Sequence, residues 1–334
     1  MFLIDKYAIK SVEDAIFHLE ELKKLATIAN DNSIPHIIFN GQDGSGTKTL
    51  IKLFLEMIFD KSINKLVDTT YKVVGSGNIV TDVVIKQSNY HIVIEPNNNN
   101  FDKYLIQDVV KEYARRKSLG VFETNKPFKV VFINNIDNLS YNAQTSLRRT
   151  MEIYSANCRF IIRSRSLSKV IKPLRSRCCC FNVISPTTND IFKTLVNISC
   201  RENIKLSLDQ YMYMSTMANR NIKRAIWFLQ LFKHGNTFKT GYDITLDKII
   251  DLIFSKQINN LQITRNLLYS ILVTNFSGST IIKDITLKIV NKPITDKVKK
   301  AIIEIAANKE YDIIRGRREI IHLDEFILRC MSSV

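Results

Sequence analysis

The 334-residue chain has no apolar stretch approaching the roughly 20 residues that cross a bilayer, which excludes a membrane-spanning helix. Its opening, Met1-Phe2-Leu3-Ile4-Asp5-Lys6-Tyr7, brings in charges too early for a secretory leader. The six cysteines, Cys158, Cys178, Cys179, Cys180, Cys200 and Cys330, form neither a paired framework nor a zinc spacing. That points to a reducing intracellular setting with no metal site. Internal repeats and long low-complexity segments are absent too, which excludes a solenoid or a disordered tail. Carboxylates are in short supply, with 32 Asp and Glu against 48 Lys and Arg, for a formal charge of +16. Such an excess suits a nucleic-acid partner, because cations that neutralise phosphates release counterions. A chain rich in Lys, Asn and Ile throughout reaches part of that figure by composition alone.

What is present is enough apolar material, 45% of residues, for two or three domains with sizeable cores. Residues 11 to 30 read as one helix with Val12, Ala15, Ile16, Leu19, Leu22 and Leu25 on one face. Pro35 releases the chain into the strand His36-Ile37-Ile38-Phe39. Further strands are expected over 66–72, 79–86, 90–94, 128–133, 159–163 and 178–183, with helices over 101–117 and 141–154 between them. This alternation predicts an α/β fold, a mainly parallel sheet with helices on both faces. Beyond Pro186 the strand patterns stop and helical ones continue to Val334, interrupted by the linker-like His234-Gly235-Asn236-Thr237.

Between the first strand and the helix that starts near Leu50 lies Gly41-Gln42-Asp43-Gly44-Ser45-Gly46-Thr47-Lys48-Thr49. A working phosphate loop reads G-x-x-x-x-G-K-[ST]: glycines let backbone N–H groups wrap phosphates, the Lys reaches their oxygens and the hydroxyl holds magnesium. Here the last two residues are swapped, with Thr47 at the Lys position and Lys48 at the hydroxyl position. A second departure agrees with the first. The strand 128–133 ends in Asn134-Asn135, where nucleotide-hydrolysing enzymes keep a metal-binding Asp and often a Glu that activates water. An amide has neither the charge nor the basicity for those tasks. The expectation is a cradle for ADP or ATP held without hydrolysis, in which Mg2+ has lost its carboxylates. The plain alternative is a glycine-rich turn before a core helix.

An ordered set of residues resembles a known family: Asp5-Lys6-Tyr7, Pro35-His36, Gly41 to Thr49, Ser88-Asn89-Tyr90-His91, Leu147-Arg148-Arg149-Thr150-Met151-Glu152, Ser168-Lys169-Val170-Ile171, Pro173 and Arg175-Ser176-Arg177-Cys178. The set is similar to the small subunits of replication factor C, the eukaryotic sliding-clamp loader. Among them it most resembles the subunit with a degenerate ATP site at the end of the five-membered spiral. The resemblance implies an α/β AAA+ module over 1–183, a helical lid over 184–233, a linker over 234–240 and an all-α collar over 241–334. It also implies a hetero-pentamer with other loader subunits, a PCNA-like sliding clamp and primer-template DNA as partners. A nucleus or a viral replication compartment is the implied location.

Residue roles carried over by the resemblance are these. Arg177 serves as an arginine finger for the neighbouring subunit's ATP. Gly41, Gly44, Ser45, Gly46, Thr47, Lys48, Thr49, Tyr7 and Lys223 form the nucleotide site, with Lys223 at the second sensor position. Arg165 stands where the first sensor is an Asn. Lys111, Arg115, Arg116, Arg148 and Arg149 are candidates for DNA, and Phe101 to Ile106 for the clamp, although Tyr104 and Leu105 equally suit a core. The chain is thus expected to have no ATPase activity of its own within an ATP-driven complex. Two other readings compete: an active AAA+ ATPase using a register-shifted Lys48 with Asp137 as its carboxylate, and a stand-alone nonspecific DNA-binding protein.

Overall fold

The computed structural model describes residues 2–31, 33–75, 80–96, 102–115, 126, 128–235, 240–257, 260–316 and 318–333. Seven strands form one sheet: β1 (Ile37–Asn40), β2 (Val67–Val74), β3 (Val80–Gln87), β4 (His91–Ile94), β5 (Lys129–Ile133), β6 (Cys158–Ser164) and β7 (Cys179–Asn182). Their spatial order is β2-β3-β4-β5-β6-β1-β7. The five strands from β4 to β7 run parallel, while β2 and β3 add an antiparallel hairpin at one edge.

Side chains on β1 alternate between two cores. Ile37 and Phe39 face α1 (Leu19–Asn30) and α2 (Thr47–Phe59), meeting Leu25, Phe54 and Ile58. Ile38 points the other way and joins Val131, Ile133, Phe160 and Ile162 in a core closed by α3 (102–115) and α4 (Tyr141–Ile153). Burial on both faces is why these strands read as continuous apolar runs rather than alternating ones. Helix α3 contains a π turn at Ile106–Val110. It brings Leu105, Ile106, Val109, Val110, Tyr113 and Ala114 onto the core side together.

The helix expected over 11–30 is shorter than its apolar spacing implied, since α1 begins at Leu19. His18 sits in the left-handed region, φ 66°, and its Nε2 lies 2.8 Å from the Ser45 carbonyl, so a tertiary bond to the phosphate loop overrides helical continuation. Ser11 Oγ donates to Asp14 across a local turn, and Val12, expected inward, is exposed. The remaining strands agree with the expected ones to within two residues, the helix expected near Leu50 starts three residues earlier at Thr47, and the ends of the helix expected over 101–117 lie outside the described residues.

Three helices follow the sheet: α5 (Thr188–Glu202), α6 (Leu208–Met217) and α7 (Ile222–Gly235). Thr187 and Ser207 cap the first two through reciprocal bonds with Asp190 and Gln210. The sheet and these helices form one compact unit, Met1–Asn236, and Thr237–Val334 forms the second. His234 and Gly235 of the expected linker end α7, Thr240 caps the next helix, and the residues between lie outside the described ones.

The second unit consists of α8 (Gly241–Ser255), α9 (Leu261–Val273), α10 (Gly278–Val290), α11 (Asp296–Arg315) and α12 (Glu319–Ser333). An Ile-rich core includes Ile249, Ile253, Ile281, Ile285, Ile302 and Phe326. Buried Lys309 is held at 2.7 Å by both Asp312 and Glu325, tying α11 to α12.

Candidate nucleotide cleft and arginine loop

The phosphate loop leaves β1 and enters α2 with Gly44 at φ +83° and Gly46 at φ +88°. A side chain at Gly44 is blocked twice, by that backbone conformation and by the Asn221 amide, which stands 2.0 Å from where a Cβ would be. The loop is strapped from outside. Ile222 N donates to Gly44 O (3.2 Å), joining the start of α7 to the loop, and Asn221 Oδ1 caps that helix by accepting from Arg224 N. Inside the loop, buried Ser45 and Thr47 share a 2.8 Å hydroxyl bond directed toward Gly41. Thr47 therefore closes the loop on itself where the usual Lys extends along the phosphates.

Beside the loop lies a cleft of about 560 Å3. Ile16, His18 and Ile222 are among its lining residues; of the nucleotide-site candidates Gly46, Lys48, Thr49 and Lys223 line it, while Gly41, Gly44, Ser45 and Thr47 do not. Tyr7 also lines it, but its hydroxyl is committed to Glu202 (2.6 Å). Glu202 additionally takes Lys6 (2.5 Å) and Lys233 (2.7 Å). These partners, Lys233 first, hold its carboxyl at about 2. The size, the apolar walls and the glycine loop at a helix start fit an adenine nucleotide.

The strand ends do not fit a magnesium ion. Lys48 Nζ lies 3.6 Å from Glu95 Oε1, and that oxygen accepts from Asn134 Nδ2 at 2.8 Å. Arg163, nine-tenths buried at the end of β6, donates to Asn134 Oδ1 (3.1 Å), Asn135 Oδ1 (2.5 Å) and Asp43 Oδ1. Arg165 Nη1 reaches the other Asp43 oxygen at 3.5 Å. Asp137 accepts from Ser164 Oγ (2.9 Å), Arg165 N (2.7 Å) and Ser166 N (3.3 Å), so its carboxylate shapes the turn after β6. Among the described residues no group of three or more His, Cys, Asp or Glu side chains is placed to hold a metal ion. Glu95, Asp43 and Arg163 escaped sequence reasoning. Arg163 read as the last residue of an apolar strand, and nothing local pairs it with a loop 120 positions away.

On α4, Glu152 bridges Arg148 Nε (3.2 Å) and Arg177 Nη2 (2.5 Å). These partners, Arg148 first, lower the pKa of the Glu152 carboxyl. Arg177 also donates to Pro173 O at 2.8 Å and keeps a third of its side chain exposed. The loop carrying it is anchored by buried Gln144, whose amide donates to Leu139 O and Lys169 O and accepts from Ile171 N.

Of the DNA candidates, Lys111 and Arg115 are exposed one turn apart on α3, and Arg149 is exposed on α4. Arg148 is engaged by Glu152, and Arg116 lies outside the described residues. Of the clamp candidates, Leu105 and Ile106 are buried core residues and Tyr104 packs against that core, while Phe101 lies outside the described residues.

A family model described as DNA polymerase III, delta subunit, matches residues 18–187, and one described as replication factor C subunit 3, C-terminal domain, matches residues 245–334. The chain belongs to the replication factor C small-subunit family. A replication factor C small subunit of Acanthamoeba polyphaga mimivirus is 38% identical, over 100% of this chain and 91% of its own. Replication factor C subunit 5 of Oryza sativa is 30% identical over 99% and 97% of the two chains. The Homo sapiens replication factor C subunit 3 is 27% identical over 98% and 95%. The family's work is clamp loading in DNA replication, carried by an AAA+ module and a helical collar, the architecture described above. No described helix is long and apolar enough to cross a membrane.

Proposed function

We propose that this chain is a non-hydrolysing clamp-loader subunit that holds a nucleotide in its own cleft and lends Arg177 to the ATP site of a neighbouring subunit. The observation that carries this reading is an asymmetry. The positions that would handle metal and water carry an ammonium, Lys48, and two amides, Asn134 and Asn135, all bonded to other protein groups, whereas Arg177 stands in an intact Ser-Arg-Cys motif with its guanidinium held by Glu152 and the Pro173 carbonyl and a third of its side chain exposed. A positioned guanidinium neutralises charge spreading over phosphoryl oxygens in the transition state. The engagement of Asp137 by three donors supports this reading over an ATPase built on Lys48.

In this reading Gly46, Lys48, Thr49 and Lys223 line the nucleotide's cleft, with Gly41, Gly44, Ser45 and Thr47 shaping the loop beside it, Tyr7 fixes the cleft wall through Glu202, and Lys111, Arg115 and Arg149 meet the DNA backbone. Arg148 orients Glu152 and so the finger. The module spans 1–183, the lid 184–233 and the oligomerising collar 241–334, with other loader subunits, the clamp and primer-template DNA as partners in a reducing replication compartment. The test is ATP hydrolysis by the reconstituted loader with clamp and DNA. Arg177→Ala is expected to lower the rate at the adjoining site by about 10³ with assembly intact. An unchanged rate from an intact assembly overturns the finger assignment.

A further inference from the structure

The two edges of the sheet are unequal. At one edge β7 is 4 residues long, whereas β2 at the other runs for 8 residues, Val67 to Val74, without a proline or a glycine. Each of its residues pairs with a single residue of β3, so the strand carries no bulge. Among the described residues no strand lies along its outer side. An edge of this kind offers a row of N–H and C=O groups to another strand, and natural sheets ordinarily blunt it with a bulge, a proline or a very short strand. None of those devices is present in β2.

The side chains along this edge are complementary to themselves. On one face β2 presents Asp68, Thr70 and Lys72, all exposed, opposite Lys86, Val84 and Asp82 of β3. Asp68 and Lys72 stand two residues to either side of Thr70, so half a turn about Thr70 exchanges the acid for the base. In an antiparallel ladder of β2 with a second β2 centred there, Asp68 lies opposite the partner's Lys72, and Lys72 opposite the partner's Asp68. Across the four strands one row then reads Lys86, Asp68, the partner's Lys72 and the partner's Asp82, alternating in sign without a break. Residues opposite one another in such a ladder share a face, which limits the registers available. Centring it on Thr69 or Tyr71 leaves both charges opposite uncharged residues, and centring it on Asp68 or Lys72 sets like against like. On the other face Val67, 67% exposed, comes opposite the partner's Val73, the edge of a buried core.

We propose that two copies of this chain pair through β2, in a twofold antiparallel ladder centred on Thr70 that joins their sheets into one. The occupant is a second copy because the charge pattern is matched by its own image, the condition for an isologous interface. This inference goes beyond the clamp-loader reading and does not rest on it. β2 and the loop that carries Arg177 into β7 belong to opposite edges of the sheet, so the pairing leaves Arg177 uncovered.

Sedimentation velocity of the full chain over about 1 to 100 µM tests this. A ladder of this length makes a small interface, so a monomer–dimer equilibrium with a Kd of about 10 µM is expected. Asp68→Lys sets ammonium against ammonium at both ends of the ladder, and Lys72→Asp sets carboxylate against carboxylate. Each alone is expected to weaken self-association about tenfold or more. An equimolar mixture of the two variants is expected to associate within about threefold of wild type, since each supplies the charge that the other lacks. Association in the mixture also shows that both variants are folded. A wild type that stays monomeric at about 100 µM, a dimer that either substitution leaves unchanged, or a mixture that stays monomeric overturns the proposal.

Discussion

At the carboxyl ends of β1, β4, β5 and β6 the polar side chains are turned toward one another: Asp43 to Arg163 and Arg165, Glu95 to Lys48 and Asn134. Around Arg177 the partners are of another kind, since Glu152 of α4 and the Pro173 carbonyl hold the guanidinium and neither belongs to the strand ends. Both regions sit on the same sheet unit, and both keep their backbone frame. Gly44 and Gly46 of the loop have positive φ, and Gln144 pins the loop that carries Arg177 to α4. In the function proposed above, substitution has struck the side chains that would handle metal and water and spared the parts that shape a cradle or meet a neighbour. That distribution is expected when the frame and the lent residue are under constraint and the chain's own chemistry is not.

The sharpest way to break the contrast is to remove one side chain from each region in turn. In the reconstituted loader Arg177→Ala is expected to lower hydrolysis at the adjoining site about 10³-fold, while Lys48→Ala changes it less than about threefold. Steady-state turnover with clamp and DNA measures both. Comparable losses from the two substitutions would erase the asymmetry.

Acid tests whether the frame that both regions share is held by neutral buried groups. Burial, reinforced by Arg159, lowers the His36 imidazole to about 4, and burial alone takes His91 to about 4. His36 Nδ1 accepts from Phe160 N and His91 Nδ1 meets Ser88 Oγ. Both are neutral when folded, and the unfolded chain takes up the proton first. Their contribution is thus complete above the ordinary value of 6.5 and is lost as pH falls toward 4, by roughly 3 kcal/mol for each. Trp227, the single tryptophan, lies on α7 in this unit, so its fluorescence in urea reports the transition. The midpoint is expected to drop between pH 7 and pH 4.5, and His91→Gln to remove about half of that drop.

The loop itself gives a smaller effect. Gly44→Ala forces a left-handed backbone on a residue with a Cβ and displaces the Asn221 cap, for about 2 kcal/mol. Gly241→Ala at the start of α8 meets open space and is expected to stay within about 0.5 kcal/mol of wild type. Urea melts of the two variants compare them.

Much of this was legible in the chain itself. The strand-loop-helix order, the swap at Thr47 and Lys48, the amides at Asn134 and Asn135, and the finger motif are local patterns. The ties that explain them are not. Arg163 to Asp43 and Tyr7 to Glu202 join residues more than 100 positions apart, and a buried arginine closing a β-strand carries no periodic signal. The helix misjudged over 11–18 failed for the same reason, because a bond from His18 to the loop outweighed local spacing.

The smallest expected effect is the most discriminating for the cleft. Exchanging the pair, Thr47→Lys with Lys48→Thr, restores the order of a working phosphate loop. If that swap were the whole lesion, the isolated chain would begin to hydrolyse ATP. Arg163 would still fill the space between Asp43 and the strand end, and Asn134 and Asn135 would still offer amides where a metal and a water need carboxylates. Turnover of the double variant, followed by phosphate release, is therefore expected to stay at background, less than about twofold above the wild type. A rise of tenfold or more would place the lesion in the loop alone and return Asn134 and Asn135 to the rank of tolerated neighbours.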